Sequence, residues 1–176
     1  MNDFSTVPLW RQMQATSQVL LAVRQGRSLT EALQQTEGVP RPGVQALAFD
    51  ALRHWGRAQA LRAQLAPRAP APRADMLLCL ALALLCARRL CRQKAAYEIH
   101  TVVDQTTEAA KRLSATRNQA GFINACLRRY LRETDALWAV TDESSLARWN
   151  HPDWWVQRLA ADHPDHWQSI LQQDLT

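Results

Sequence analysis

Arginine is the residue type in this sequence whose number and spacing could do chemistry. The chain holds 21 basic residues, of which 19 are Arg and two are Lys. A guanidinium group stays charged at physiological pH, and its planar fork can grip a phosphate group with two hydrogen bonds. Arg117, Gly121, Asn124 and Arg128 follow one another at steps of four, three and four residues. That spacing predicts that all four lie on one face of a helix.

These arginines are candidate contacts to the phosphates of a nucleic acid. Gly121 in the middle of a helix costs about 1 kcal/mol relative to Ala, which suggests a close backbone approach there. Two alternatives stay open: the arginines could be ordinary solvated helix faces, and Asn124 could be a buried amide that ties two helices together. The candidate residues for such phosphate contacts are Arg11, Arg53, Arg57, Arg117, Arg128, Arg129 and Arg132.

No self-sufficient catalytic constellation is visible in the sequence. Glycine-rich phosphate loops and the GxSxG motif are absent, and five scattered glycines cannot build such loops. We expect Cys79 and Cys86, seven residues apart in an apolar helix, to be buried reduced thiols. His163 and His166, beside Asp162 and Asp165, could bind a metal in principle, but a solvated helix start is the favoured interpretation.

Composition indicates one globular domain of 176 residues with an uneven charge distribution. Residues 1–133 carry 19 basic and nine acidic side chains, a net charge of +10, whereas residues 134–176 carry two and seven, a net charge of −5. Five of the seven Trp residues also lie after residue 137. The uncharged and most apolar stretch, residues 76–87, is too short to span a bilayer, and no signal peptide is visible. We therefore expect a cytoplasmic protein without a membrane partner.

Hydrophobic spacing predicts an all-α fold, because no stretch alternates with a period of two for long. The helix predicted over 116–132 is expected to bury Phe122, Ile123, Cys126, Leu127, Tyr130 and Leu131. A looser segment is expected at 133–145. The predicted helices are 9–24, 28–35, 42–65, 74–89, 95–113, 116–132, 152–161 and 164–173.

Several segments together resemble the NusB family of all-helical RNA-binding proteins. They are Arg11–Ala15, Ala48–Leu52, Ala58–Leu65, Ala74–Leu90, Asp104–Lys111 and, most specifically, Gly121–Arg128. Two further segments are similar to the N-terminal RNA-binding domain of the bacterial 16S ribosomal RNA (cytosine-5) methyltransferases, the RsmB family. These are Gln25–Leu33 and the tandem His151–Leu159 and His163–Ile170.

The resemblance implies a NusB-like helical bundle over residues 1–133 and a short, acidic, Trp-rich helical connector over 134–176. Ribosomal RNA would be the partner, together with a C-terminal methyltransferase domain, and no DNA is expected. The family's catalytic Cys follows a Pro, and no Cys here does. The implied cofactor, S-adenosylmethionine, would therefore belong to a catalytic domain outside this chain, and the chain alone is expected to be neither catalytic nor cofactor-binding. It would be an isolated fragment, a shortened reading frame or a solitary homologue.

Two other functions remain open from the sequence. The chain could be a stand-alone NusB-like transcription antitermination factor, although the HPxW connector argues against that. It could also be a protein–protein docking module that uses its Trp-rich tail, because exposed Trp clusters mark interfaces.

Overall fold

A computed structural model describes residues 7–90 and 95–173, and every regular element in those two ranges is a helix. The all-α prediction is confirmed. The helices are α1 (Leu9–Arg24), α2 (Leu29–Gln34), α3 (Arg41–Arg53), α4 (Trp55–Leu65), α5 (Pro72–Leu90), α6 (Ile99–Arg112), α7 (Ala120–Arg132), α8 (Thr134–Thr141), α9 (Ser145–Trp149), α10 (Asp153–Asp162) and α11 (Trp167–Gln173), with a 3₁₀ turn at Arg117–Gln119 before α7.

Helix α5 is the centre of the bundle. It is apolar on all sides, every residue from Ala74 to Cys86 is buried, and α1, α3, α4, α6 and α7 pack around it. Its one buried carboxylate, Asp75, lies 2.7 Å from Arg24 of α1 and 3.0 Å from Arg62 of α4. A buried charge must be paired, so this ion-pair triad fixes where α1 and α4 lie against the start of α5.

The first two helices follow the predicted boundaries. Gly26 ends α1 with a φ of +95°, a conformation that glycine adopts without a Cβ clash. Ser28 and Glu31 form the predicted capping box at the start of α2. Val19 of α1, Leu33 of α2 and Val44 of α3 then close a second, smaller core beside α5.

The predicted continuous helix over 42–65 is wrong, because the chain breaks at His54 into α3 and α4. The side chain of Asn150 occupies the break. Its Oδ1 accepts a hydrogen bond from the Gly56 backbone N–H at 2.7 Å, and its Nδ2 donates to the Leu52 carbonyl at 2.8 Å. One amide thus replaces the helical hydrogen bonds that the interruption removes.

Two boundaries around α6 and α7 also differ from the predictions. Helix α6 starts at Ile99 rather than near Ala95, and the stretch predicted as one helix over 116–132 begins with the 3₁₀ turn. The Thr116 hydroxyl donates to the Ala110 carbonyl at 2.8 Å and closes the link between the two helices. Arg117 consequently lies on the turn, one element before the other residues of its predicted face.

Residues 134–141 form helix α8, so the expectation of a looser segment over 133–145 is wrong for most of that segment, and only residues 142–144 form a turn between α8 and α9. Leu137 and Trp138 of α8 are buried against the bundle, and this burial stabilises a helix of only eight residues. The expected helices after Pro152 and Pro164 are present as α10 and α11, although α11 begins at Trp167. Trp149, Val156 and Leu171 form a third small core that joins α9, α10 and α11.

Candidate nucleic-acid interface

Helix α7 positions the predicted basic face by burying its opposite side. Ile123, Leu127 and Tyr130 point into the bundle, while Gly121, Arg128 and Arg132 are exposed. The three exposed residues are separated by seven and four positions, which places them along one side of the helix. With Arg117 on the preceding turn, this side forms a continuous face, which we call the α7 face: Arg117, Gly121, Asn124, Arg128 and Arg132.

The arginines of the α7 face have no carboxylate partner among the described residues. The Arg117 Nε donates to the Lys111 carbonyl at 3.1 Å, and the Arg128 Nε donates to the Asn124 Oδ1 at 3.4 Å. These bonds engage one nitrogen of each guanidinium group with a neutral oxygen. The positive charge of these arginines therefore remains available to an external anion.

Gly121 lies open in the middle of this face. A Cβ atom built on it would meet no heavy atom of the protein within 4 Å, so no neighbouring helix requires a glycine there. The close backbone approach expected from the sequence is not made inside the chain. The open position leaves room for an external molecule between Arg117 and Arg128.

Phe122 and Leu131 were predicted to be buried, and both predictions are wrong. Phe122 is 43% exposed and Leu131 is 38% exposed. The inner side of α7 is centred on Ile123, Leu127 and Tyr130, and the two exposed residues lie at its two margins. Phe122 therefore adds an exposed aromatic ring beside the arginines, which sequence reasoning missed because it assigned every apolar residue to the core.

Arg129 lies at the edge of the α7 face and is paired. Its Nε is 3.0 Å from a carboxylate oxygen of Glu133, one turn further along the chain. Both side chains are more than 40% exposed, and exposed pairs of this kind contribute about 0.3–0.5 kcal/mol. A phosphate could replace Glu133 at little cost in free energy.

The structure places the other three predicted arginines elsewhere. Arg11 is exposed on α1, 3.3 Å from where a Cβ of Gly38 would lie. Arg53 is exposed at the end of α3 and lies 3.5 Å from Asp50. The Arg57 side chain is only 12% exposed, because its guanidinium group lies 4.5 Å over the Trp138 ring and 2.5 Å from Asp142. Arg57 thus joins α4 to α8 inside the protein.

The cysteines that the structure describes offer no nucleophile. Burial raises the pKa of the Cys79 thiol and that of the Cys86 thiol to about 12, so both stay protonated near neutral pH. Cys79, Cys86 and Cys126 are buried and free, as expected for the first two, while Cys91 lies outside the described residues.

Neither a metal centre nor a membrane span is found in the two described ranges. No group of three or more His, Cys, Asp or Glu side chains there could hold a metal ion, and no helix is long and apolar enough to cross a bilayer. Those ranges also hold no glycine-rich strand–turn–helix of the kind that cradles S-adenosylmethionine.

Fold and site together define the class: an all-helical domain built around one buried helix, with an arginine-lined outer face. The profile of the NusB family matches residues 10–132, which is most of the bundle. The chain therefore belongs to the NusB family.

Relatives extend the similarity beyond that profile. A ribosomal RNA small subunit methyltransferase B from Pasteurella multocida (strain Pm70) is 29% identical over 173 residues, covering 95% of this chain and 36% of that protein. The enzyme of the same name from Vibrio vulnificus (strain YJ016) is 29% identical over 154 residues, covering 85% and 35%. A probable enzyme of that name from Coxiella burnetii (strain RSA 493 / Nine Mile phase I) is 40% identical over 72 residues, covering 41% and 16%. This chain thus spans about a third of the length, or less, of these relatives.

Proposed function

We propose that this chain is the RNA-binding domain of an S-adenosylmethionine-dependent methyltransferase that modifies a cytosine of small-subunit ribosomal RNA in the cytoplasm. The observation that carries the proposal is the α7 face, where Arg117, Arg128 and Arg132 have no acidic partner in the described chain and surround an open glycine. The printed names of the relatives supply the substrate class.

The α7 face is positively charged and long enough to lie along several phosphates of an RNA strand. From Arg117 to Arg132 the chain advances about 22 Å if the rise is close to the helical 1.5 Å per residue. Arginines spaced over that length can contact several successive phosphates and release their counterions, which provides affinity without sequence preference. The exposed ring of Phe122, at the margin of the face, offers a surface on which an unpaired base can stack.

The domain's contribution to the reaction is positioning. A domain that holds the RNA in one orientation converts the encounter of base and methyl donor into an effectively intramolecular step. The methyl donor, S-adenosylmethionine, and the attacking Cys would both reside in a catalytic domain outside this chain.

The connector proposed from the sequence, residues 134–176, offers a surface for that catalytic domain. Trp154 is 68% exposed on α10, and Trp155 beside it is also exposed. Their ring centroids lie 6.0 Å apart, so they form one aromatic patch near the end of the described chain. Large exposed aromatics of this kind are typical of contacts between domains.

Fluorescence anisotropy with a labelled fragment of small-subunit ribosomal RNA tests the proposed function. We expect the triple variant Arg117→Gln, Arg128→Gln and Arg132→Gln to bind RNA at least about tenfold more weakly, because three phosphate contacts are lost. The charge-matched control carries Arg27→Gln, Arg41→Gln and Arg158→Gln, three exposed arginines outside the α7 face. An equal loss of affinity in both triple variants would show that net charge, rather than the α7 face, binds the RNA.

A further inference from the structure

A second basic site lies at the break between α3 and α4. There the chain encloses a pocket of about 160 Å³ that opens to solvent between α4, α8, α9 and the end of α5. We propose that this pocket binds a phosphate group. Its polar and aromatic lining consists of Arg53, His54, Arg57, Trp138, Arg148 and Asn150.

The charge of the pocket favours an anion. Three of its lining residues are arginines, and no Asp or Glu is among them. Two of these arginines have a carboxylate neighbour that is not part of the lining: Asp142 pairs with Arg57, and Asp50 lies 3.5 Å from Arg53. Arg148 is exposed, and the contact described for its guanidinium group is the Trp149 ring, 5.7 Å away. An anion in the pocket would therefore meet positive charge without a competing carboxylate on the wall.

Two of the lining side chains, Arg57 and Asn150, are held in place before any ligand arrives. The Arg57 guanidinium group is fixed by the Thr141 hydroxyl at 3.0 Å, by Asp142 and by the Trp138 ring. Asn150 is fixed by its two bonds across the helix break. A preorganised site loses little conformational entropy when a ligand binds, which raises its affinity.

His54 adds a neutral donor to the lining. Burial lowers the pKa of His54 below its ordinary value, which favours the neutral ring, and a neutral imidazole can donate one N–H.

The volume limits the ligand to a small group. About 160 Å³ is below the roughly 300–1,000 Å³ of pockets that hold drug-sized ligands, so a phosphate group suits this pocket better than a large molecule does. A phosphate from an RNA backbone and a phosphate on a small molecule share this chemistry. The pocket is built from elements other than α7, so the proposal is independent of RNA binding at the α7 face.

Nuclear magnetic resonance on the whole chain tests the pocket with inorganic phosphate as the probe. We expect the Nε–H signals of Arg53 and Arg148 and the indole N–H signal of Trp138 to shift saturably with phosphate, compared with sodium chloride at equal ionic strength. The double variant Arg53→Gln and Arg148→Gln should bind phosphate at least about tenfold more weakly, because two charge-assisted contacts are lost. The matched control is Arg27→Gln with Arg158→Gln, which should bind as the wild type does. All four side chains are exposed, so both variants should fold, which an unchanged melting temperature verifies.

A second titration with a single-stranded RNA oligonucleotide identifies the source of the phosphate. If RNA shifts the same three signals and inorganic phosphate competes with it, the pocket takes a backbone phosphate. If RNA leaves them unchanged while phosphate saturates them, the pocket takes a small phosphorylated molecule. Shifts that are linear and equal in phosphate and chloride, or binding that the double variant retains in full, overturn the proposal. The α7 triple variant should keep the phosphate shifts, which separates this test from that of the proposed function.

Discussion

Two residues, Gly56 and Asn150, determine how closely α9 packs on α4 at the helix break. Gly56 lies where α9 crosses α4, and a Cβ built on it would lie 2.1 Å from the Leu146 carbonyl oxygen. Asn150, at the end of α9, adopts a φ of +58°, a conformation that Asn tolerates better than most residues. The close approach of the α9 backbone to Gly56 brings the Asn150 side chain within hydrogen-bonding distance of α4, and its two hydrogen bonds in turn hold the backbones together.

Replacement of Gly56 by Ala should destabilise the protein, because the added methyl group would meet the backbone of α9. We expect the free energy of unfolding in urea to fall by about 2 kcal/mol or more. The matched control, Gly121→Ala, places a methyl group in open space within a helix and should raise stability by about 0.5–1 kcal/mol. Equal effects of the two substitutions on stability would contradict the packing described at Gly56.

The sequence predicts the residues of the α7 face but not their surroundings. Their spacing alone indicates that Arg117, Gly121 and Arg128 share one side of the chain. The use of Arg57 inside the protein depends on Trp138 and Asp142, more than 80 positions away, and local spacing carries no information about such contacts. Whether the candidate arginines contact RNA stays a prediction.

At the scale of elements, α8 and α9 pack closely on the bundle. Trp138 of α8 receives two guanidinium groups over its ring, from Arg57 at 4.5 Å and Arg89 at 4.9 Å, and its indole N–H donates to the Tyr130 hydroxyl at 3.1 Å. By contrast, α10 and α11 touch α9 and each other and are mostly exposed. The division of the chain at residue 133 stays a prediction, and these contacts define a test of it.

Two shortened chains test that division. A chain ending at residue 150 should keep nearly the melting temperature of the full chain, because α8, α9 and Asn150 remain. A chain ending at residue 132 should melt at least about 10 °C lower, since it loses the buried Leu137 and Trp138 and leaves the helix break without Asn150. Circular dichroism during heating measures both temperatures. Equal melting temperatures for the two shortened chains would place α8 and α9 outside the cooperative unit.

The helix predictions are correct where local sequence signals determine the helix and wrong where distant contacts determine it. The bounds of α1 and the extent of α5 follow from local signals: a Pro before the first turn, a Gly after the last, and an uncharged run of helical length. The break at His54 could not be predicted, because the amide that completes it comes from Asn150, 94 residues from Gly56. Helix α8 was missed because tertiary burial of Trp138, rather than its short sequence, stabilises it.

At the scale of the whole molecule, the charge difference between the two parts of the chain has a structural use. Two acidic residues of the C-terminal part pair with arginines of the bundle: Asp135 lies 2.8 Å from Arg89, and Asp142 pairs with Arg57. Asp135 is 91% exposed, so its pair contributes little, whereas the Arg57 side chain is only 12% exposed and its pair with Asp142 holds the end of α8 on the bundle. The arginines of the α7 face lack such partners among the described residues, so their positive charge can attract a polyanion from solution.

The central claim is that this unpaired charge binds RNA, and a salt titration of RNA affinity tests it most directly. The logarithm of the binding constant should fall linearly with the logarithm of the salt concentration. Its slope should be shallower by about 2–3 in the variant with Arg117, Arg128 and Arg132 changed to Gln, since each of the three phosphate contacts contributes about 0.7–0.9. The same slope for wild type and variant, or affinity that does not change with salt, would contradict the account.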